Sequence, residues 1–167
     1  NTVNLETTHA ILHAANELRL PVIVQMTEKT LDYAGGRAIY HLVRDLAECY
    51  YPNIPVGIHL DHGKSYELVE RAMEIGFTSV MYDGSRKKYI DNATMTKRVV
   101  DLCHSRGACV QGELGSVPYI GEASTQTIVW EEYMTDPEEA CRFVEETGID
   151  TLAVAIGNAH GFFPERP

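Results

Sequence analysis

The segment VGIHLDHGKSYELVERAMEIGFTSVMYDGS, residues Val56 to Ser85, decides the fold. It contains two short apolar runs of strand length, separated by a segment with helical periodicity. His59, Asp61 and His62 lie at the end of the first run, and Asp83 lies at the end of the second. Carboxylates and imidazoles collected at predicted strand ends indicate a metal ion and an acid/base group.

The same alternation of strand and helix continues on both sides of this segment. Short apolar runs such as PVIVQM and TLAVAI predict further strands, and apolar residues at helical spacing predict further helices. Strands that alternate with helices of this length form βα units and a parallel sheet, whose strands are buried on both faces. The predicted strands are 21–26, 56–60, 78–82, 108–112 and 150–156, and the predicted helices are 5–18, 37–47, 66–75, 92–106 and 137–146.

Candidate ligands follow four successive predicted strands. Asp61 and His62 follow one strand, Asp83 the next and Glu113 the next, and His160 lies just beyond the last. A doubly wound sheet binds ligands at one crevice, whereas a barrel gathers loops from many strands around one mouth. The pattern therefore predicts an α/β fold of the (β/α)8 TIM-barrel type. A complete barrel needs ~250 residues, so we expect this chain to form part of one.

The two ends of the chain support the same expectation. The first residue is Asn1 rather than methionine, and the last is Pro167. We therefore expect residues 1–167 to be one partial TIM-barrel catalytic domain of a longer protein. The start of the first strand and the final strands would be the missing parts.

Composition excludes some classes of function. The formal net charge is −10, from 24 acidic and 14 basic residues, and no cluster of basic residues indicates a nucleic-acid partner. No apolar run approaches the ~20 residues that a membrane span requires. The four cysteines form no Cys-x-x-Cys pair, which favours reduced thiols in a cytoplasmic protein.

Four motifs together resemble those of one enzyme family. HLDHGKS (59–65) and SVMYDGS (79–85) are followed by GELG (112–115) and AVAIGNAHG (153–161). In this combination the chain resembles the class II, metal-dependent ketose-bisphosphate aldolases, of the fructose- and tagatose-bisphosphate type. The resemblance implies reversible cleavage of a phosphorylated sugar, a ketose 1,6-bisphosphate, to dihydroxyacetone phosphate and glyceraldehyde 3-phosphate.

The resemblance also implies roles for individual residues. Asp61 would be the general acid/base that takes the proton of the C4 hydroxyl. His62 and His160 would be two of three zinc ligands, the third lying beyond Pro167, and the Zn²⁺ ion, or another divalent metal in its place, would act as a Lewis acid toward the substrate carbonyl. Asp83 and Glu113 match carboxylates associated with a second cation.

Further residues match positions that contact the substrate in this family. Asn1, Thr27 and Gly161 fall at substrate-binding positions, and Glu122 matches a loop glutamate that protonates the enediolate. The family's members are usually homodimers or homotetramers.

Other interpretations of the same residues stay open. On chemistry alone, another metal-dependent TIM-barrel hydrolase or isomerase would use the same ligands, and a non-catalytic or truncated aldolase-like subunit would share the fold. Asp83 is also suited to cap a turn at Asp-Gly-Ser. His59 shares a strand face with Asp61 by the period-2 rule. A hydrogen bond in the core or a contact to a residue of the site would suit it, and we expect the structural role.

Overall fold

A computed structural model of the protein describes residues 1–120 and 130–161. Among these residues, five strands form one parallel sheet in the order β1-β2-β3-β4-β6, and two short strands, β5 and β7, pair separately. The strands are β1 (Val22–Thr27), β2 (Val56–Gly63), β3 (Ser79–Tyr82), β4 (Cys109–Leu114), β5 (Tyr119–Ile120), β6 (Thr151–Val154) and β7 (His160–Gly161). The helices are α1 (Leu5–Leu18), α2 (Glu28–Ala34), α3 (Gly36–Asp45), α4 (Tyr66–Ile75), α5 (Tyr89–His104) and α6 (Pro137–Thr147).

The main sheet is one half of a (β/α)8 barrel, which confirms the predicted fold class. Each strand pairs in parallel with the next strand of the sheet, and a helix follows each of the first three strands. Since all five strands run in the same direction, their carboxyl ends meet at one edge of the sheet, where barrel enzymes place their sites.

The middle strands of the sheet are buried on both faces, as predicted, since Met81 and His59 on the concave face are only 3% and 4% exposed; the edge strand β1 is not. Val24, Leu60 and Val80 point outward into the core beneath the helices. The other, concave face is a barrel interior, and Ile23, which points into it, is 65% exposed. A barrel interior is filled by side chains from all its strands, and five strands leave it open.

Helix ends follow local capping chemistry. Ser65 begins α4 by accepting a hydrogen bond from the Leu68 amide at 3.1 Å, and Gly76 ends it in the left-handed conformation. Helix α2, which the periodicity did not predict, is only 7 residues long and begins at the cap residue Thr27. Among the described residues, no helix has both the length and the apolarity needed to cross a bilayer.

The predicted second helix, 37–47, ends differently from the expectation. Helix α3 stops at Asp45, and a π-helical turn, Leu46–Tyr50, continues it. The pairing of β5 with β7 was also not predicted, because two-residue strands have no measurable periodicity. These differences lie outside the βα framework that the sequence predicts.

Gly112 allows helix α6 to pack closely against β4. A Cβ atom at this position would lie 2.8 Å from Cε1 of Phe143 and 3.2 Å from Cδ1 of Ile149, and Phe143 is completely buried. We expect Gly112→Ala to lower the free energy of unfolding by about 1–3 kcal/mol through overpacking. Urea unfolding of the full-length protein measures this loss.

The double variant Gly112→Ala/Phe143→Leu provides the control for this prediction. A smaller side chain at position 143 relieves the contact, so the two substitutions together should cost less than the sum of their separate effects. Strictly additive losses would show that the methyl group at position 112 does not meet Phe143.

Candidate metal centre at the strand ends

A β-bulge at the end of β2 brings two candidate site residues into one cavity. His59 and Asp61 share the concave face by strict alternation, which would turn His62 toward the helices. The register of β2 on β3 shifts between Leu60 and Gly63, and His62 has a positive φ of 50°. Bulges redirect side chains in this way, and Asp61 and His62 consequently line the same cavity of about 240 Å³.

His62 is surrounded by carboxylates from neighbouring strand ends. Its Nδ1 atom donates a hydrogen bond to Oδ2 of Asp83 at 3.0 Å and lies 3.4 Å from Oε2 of Glu113. Its Nε2 atom lies 4.0 Å from Oδ1 of Asp61. The imidazole thus links the ends of β2, β3 and β4.

Burial and hydrogen bonding give the two carboxyl groups nearest His62 very different pKa values. Burial opposes ionisation of Asp83, but hydrogen bonds from His62 and Ser85 outweigh it and lower the pKa of Asp83 to about 2. Burial, together with the charge of Asp83, raises the pKa of Glu113 to about 7. The hydrogen bond to Asp83 raises the pKa of His62 above its usual value of 6.5.

Asp83 caps the turn considered from the sequence and also faces His62. Its Oδ1 atom accepts hydrogen bonds from the Ser85 amide at 3.2 Å and the Ser85 hydroxyl at 2.6 Å. These bonds form the turn typical of Asp-Gly-Ser, while Oδ2 is directed to His62. Ser85 therefore orients the carboxylate, a role that the sequence analysis did not assign.

Asp61 lies against the first residue of the chain. The side-chain amide of Asn1 donates a hydrogen bond to Oδ2 of Asp61 at 3.0 Å, and the next residue, Thr2, is held on β1 through the Gln25 carbonyl. Thr27, at the end of β1, is the register partner of Asp61. Asn1, Thr27 and Asp61 are therefore adjacent at the edge where we expected substrate contacts.

His160 and Gly161 form β7. The His160 amide donates to the Pro118 carbonyl at 2.9 Å, and the residue lines the same cavity as Asp61 and His62. It lies outside the cluster whose ligand atoms approach within 4.8 Å, which consists of His62, Asp83 and Glu113. Gly161 has a φ of 110°, a left-handed conformation that favours glycine.

Glu122 lies outside the described residues, so its assignment stays a prediction. His59 is buried and its Nδ1 atom pairs with the Ser79 hydroxyl at 2.8 Å, as expected of a structural residue. Within residues 1–120 and 130–161, its Nε2 atom has no hydrogen-bond partner, and burial lowers the pKa of the ring.

The nitrogen and oxygen atoms that converge at the strand ends are suited to bind a divalent cation. His62, Asp83 and Glu113 each provide one ligand atom, and these atoms lie within 4.8 Å of one another. One imidazole nitrogen with carboxylate oxygens is a donor set accepted by zinc and related metals. Two neighbouring carboxylates repel each other when both are ionised, and a cation between them would remove that cost. The residues therefore fit a metal ion.

Comparisons with known proteins identify a single family. The sequence model described as "Fructose-bisphosphate aldolase class-II" matches residues 1–167. A fructose-bisphosphate aldolase of Thermus caldophilus is 46% identical over 163 residues, which cover 98% of this chain and 52% of that protein. A probable fructose-bisphosphate aldolase of Bacillus subtilis (strain 168) is 42% identical over 168 residues, covering 100% of this chain and 58% of that protein.

Solved structures give the same result for the fold. The crystal structure of the YdjI aldolase from Escherichia coli K12 superposes with a TM-score of 0.81 at 34% identity. The match covers 95% of this chain and 55% of that chain. The chain thus spans about half the length of the curated relatives it matches.

The raised pKa of Glu113 predicts a specific dependence of stability on pH. Because the folded-state pKa of about 7 exceeds the reference value of 4.5, stability from this group is present below pH 4.5 and is lost as the pH rises through 7. Because glutamine does not ionise, Glu113→Gln does not lose this stability as the pH rises. At pH 8 without metal, we expect the variant to exceed the wild type in free energy of unfolding by up to roughly 3 kcal/mol.

Urea unfolding of the metal-free full-length protein from pH 4.5 to pH 8 measures this difference. The two proteins should converge near pH 4.5, and Glu70→Gln, an exposed site on α4, should follow the wild type throughout. A difference between Glu113→Gln and the wild type that does not change with pH would contradict the assignment.

Proposed function

This chain belongs to the class-II fructose-bisphosphate aldolase family, and from that membership we propose the activity of the protein that contains it. The protein catalyses reversible, metal-dependent aldol cleavage of a ketose 1,6-bisphosphate, of the fructose or tagatose series. The products are dihydroxyacetone phosphate and glyceraldehyde 3-phosphate. In this proposal, residues 1–167 are part of the catalytic barrel. The observation that carries the proposal is the convergence of Asp61 and the cluster of His62, Asp83 and Glu113 at one sheet edge.

Asp61 is the proposed general acid/base. It is 9% exposed, and Asn1 holds its Oδ2 atom through a hydrogen bond of 3.0 Å. Since that bond fixes the carboxylate, Oδ1 is left to accept the proton of the C4 hydroxyl. In the reverse direction the same atom returns the proton to the newly formed alkoxide.

Zn²⁺ is the proposed metal, held by His62 and His160, with Asp83 and Glu113 at a second cation position. His62 Nδ1 donates a hydrogen bond to Asp83, an arrangement common to metal-binding histidines. The bond orients the ring and leaves the lone pair of Nε2 free to coordinate the metal. His160 is supported by its place on the wall of the same cavity. When bound, the metal would supply a Lewis acid for the substrate carbonyl.

Asn1, Thr27 and Gly161 are the proposed substrate contacts. Asn1 and Thr27 adjoin Asp61, so they are suited to orient the hydroxyl groups near the bond that breaks. Gly161 exposes its backbone beside His160, where an amide could bind an anionic oxygen. Glu122, which lies outside the described residues, remains the proposed proton donor to the enediolate.

The remaining proposals concern the whole protein. Family membership supports a homodimer or homotetramer, and cysteines without paired spacing support a cytoplasmic location. The acidic composition supports the absence of a nucleic-acid partner.

Chelator-sensitive cleavage of a sugar bisphosphate tests the proposed activity. The full-length protein should release dihydroxyacetone phosphate from fructose or tagatose 1,6-bisphosphate, lose this activity in a chelator and regain it with Zn²⁺. The preferred sugar is the one cleaved with the higher kcat/KM. No release from either sugar, with zinc bound, would favour a hydrolase or isomerase, whereas absence of both metal and activity would indicate a non-catalytic subunit.

Asp61→Ala tests the acid/base role. We expect the variant to retain metal near the wild-type level and to lose about 100-fold or more in the cleavage rate, because it removes the proton acceptor. Metal analysis and steady-state kinetics on the full-length protein measure the two quantities. Asp101→Ala on α5, which removes the same charge at an exposed position, should retain full activity. Wild-type turnover in Asp61→Ala would exclude Asp61 from the mechanism.

A further inference from the structure

Asn92 is a buried polar residue to which the proposed mechanism assigns no role. It lies in the first part of α5 and is 1% exposed. A buried amide is costly unless its donors and acceptors are bonded. Its Nδ2 atom donates to the main-chain carbonyl of Glu113 at 2.9 Å, and its Oδ1 atom accepts a hydrogen bond from the Thr96 hydroxyl at 3.2 Å.

The same side chain packs against the backbone that follows Asp83. A Cβ atom built on Gly84 would lie 2.8 Å from Cγ of Asn92, so the amide occupies the space that any side chain at position 84 would need. Asn92 therefore contacts the end of β3 through Gly84 and the end of β4 through Glu113.

This contact begins where the regular pairing of the two strands stops. The last register pair of β3 and β4 is Tyr82 with Gly112, so the next residues along the strands, Asp83 and Glu113, are not a ladder pair. On the other side of β4, Glu113 pairs with Ala153 of β6. The contacts of Asn92 thus continue the link between β3 and β4 beyond the ladder, at Glu113 itself and at Gly84, the residue that follows Asp83.

We propose that Asn92 is a positioning residue that sets the separation of the Asp83 and Glu113 carboxylates, and so the affinity of that pair for a divalent cation. The inference rests on the proposed metal site and extends it to a side chain that contacts neither cation nor substrate. Outer residues that orient metal ligands typically contribute 10–100-fold to affinity. Asn92 differs from the usual case because it acts through the ligand's main chain.

Binding of Co²⁺ by the metal-free full-length protein tests the inference. The protein and a coloured chelator compete for Co²⁺, and the competition gives the affinity of each site. The relevant site is the one whose binding is lost in Glu113→Ala. We expect Asn92→Ala to weaken binding at this site by about 10–100-fold. We expect Asn92→Asp, which keeps the shape but replaces the donor, to weaken it similarly. Thr96→Val, which removes only the hydroxyl that orients the amide, should have a smaller effect.

Thr147→Val provides the matched control. Thr147 is completely buried and its hydroxyl donates to the Phe143 carbonyl at 2.6 Å within α6, so the variant also loses one buried hydrogen bond. It should bind Co²⁺ within about twofold of the wild type, which separates general loss of stability from loss of positioning. Asn92→Asp covers the case in which Asn92→Ala does not fold.

The outcomes distinguish the inference from the proposed function. If the wild type binds Co²⁺ through Glu113 but Asn92→Asp binds it with unchanged affinity, the positioning role is wrong and the metal site stands. If the wild type has no Glu113-dependent binding, the proposed cation position is wrong, and the inference about Asn92 fails with it.

Discussion

The candidate site depends on hydrogen bonds that continue past the ends of the strand ladders. Parallel pairing brings the carboxyl ends of the strands to one edge, but the ladder between β3 and β4 ends at Tyr82 and Gly112, one residue before Asp83 and Glu113. Side chains add further links between the strand ends. His62 links β2 to Asp83, Asn92 links Gly84 to Glu113, and Thr135 bonds both the Leu114 carbonyl and the Ala155 amide. Each adjacent pair of strand ends from β2 to β6 is tied in this way.

These links hold groups together that repel one another. Asp61, Asp83 and Glu113 surround a single imidazole, and burial together with the charge of Asp83 raises the pKa of Glu113. A protein core has no structural use for such an arrangement, since buried charges are expensive unless they are paired. A bound cation would attract the carboxylates that otherwise repel one another, so the same arrangement would stabilise the folded protein. This is the physical link between this fold and the family's metal dependence.

Sequence alone predicted the βα alternation, the half-barrel and the family, and the family match confirms the last of these. The segment from Val56 to Ser85 was sufficient because its apolar periodicity predicts two strands and its carboxylates lie where those strands end. The bulge that turns His62 toward Asp61 was not predictable, since strict alternation places adjacent residues on opposite faces. Asn92 was also missed, because a polar residue near the start of a helix carries no sign that it will be buried against the next strand. The roles of all the site residues remain predictions, for those that the structure brings together as well as for His160, Gly161 and Glu122.

Anomalous diffraction at the zinc edge, from crystals of the full-length protein grown with Zn²⁺, tests the central claim most directly. The account predicts an anomalous peak at the carboxyl edge of the sheet, with His62 among the ligands and Asp61 beside the ion. A fully occupied zinc ion bound elsewhere, with no peak at the strand ends, would contradict it.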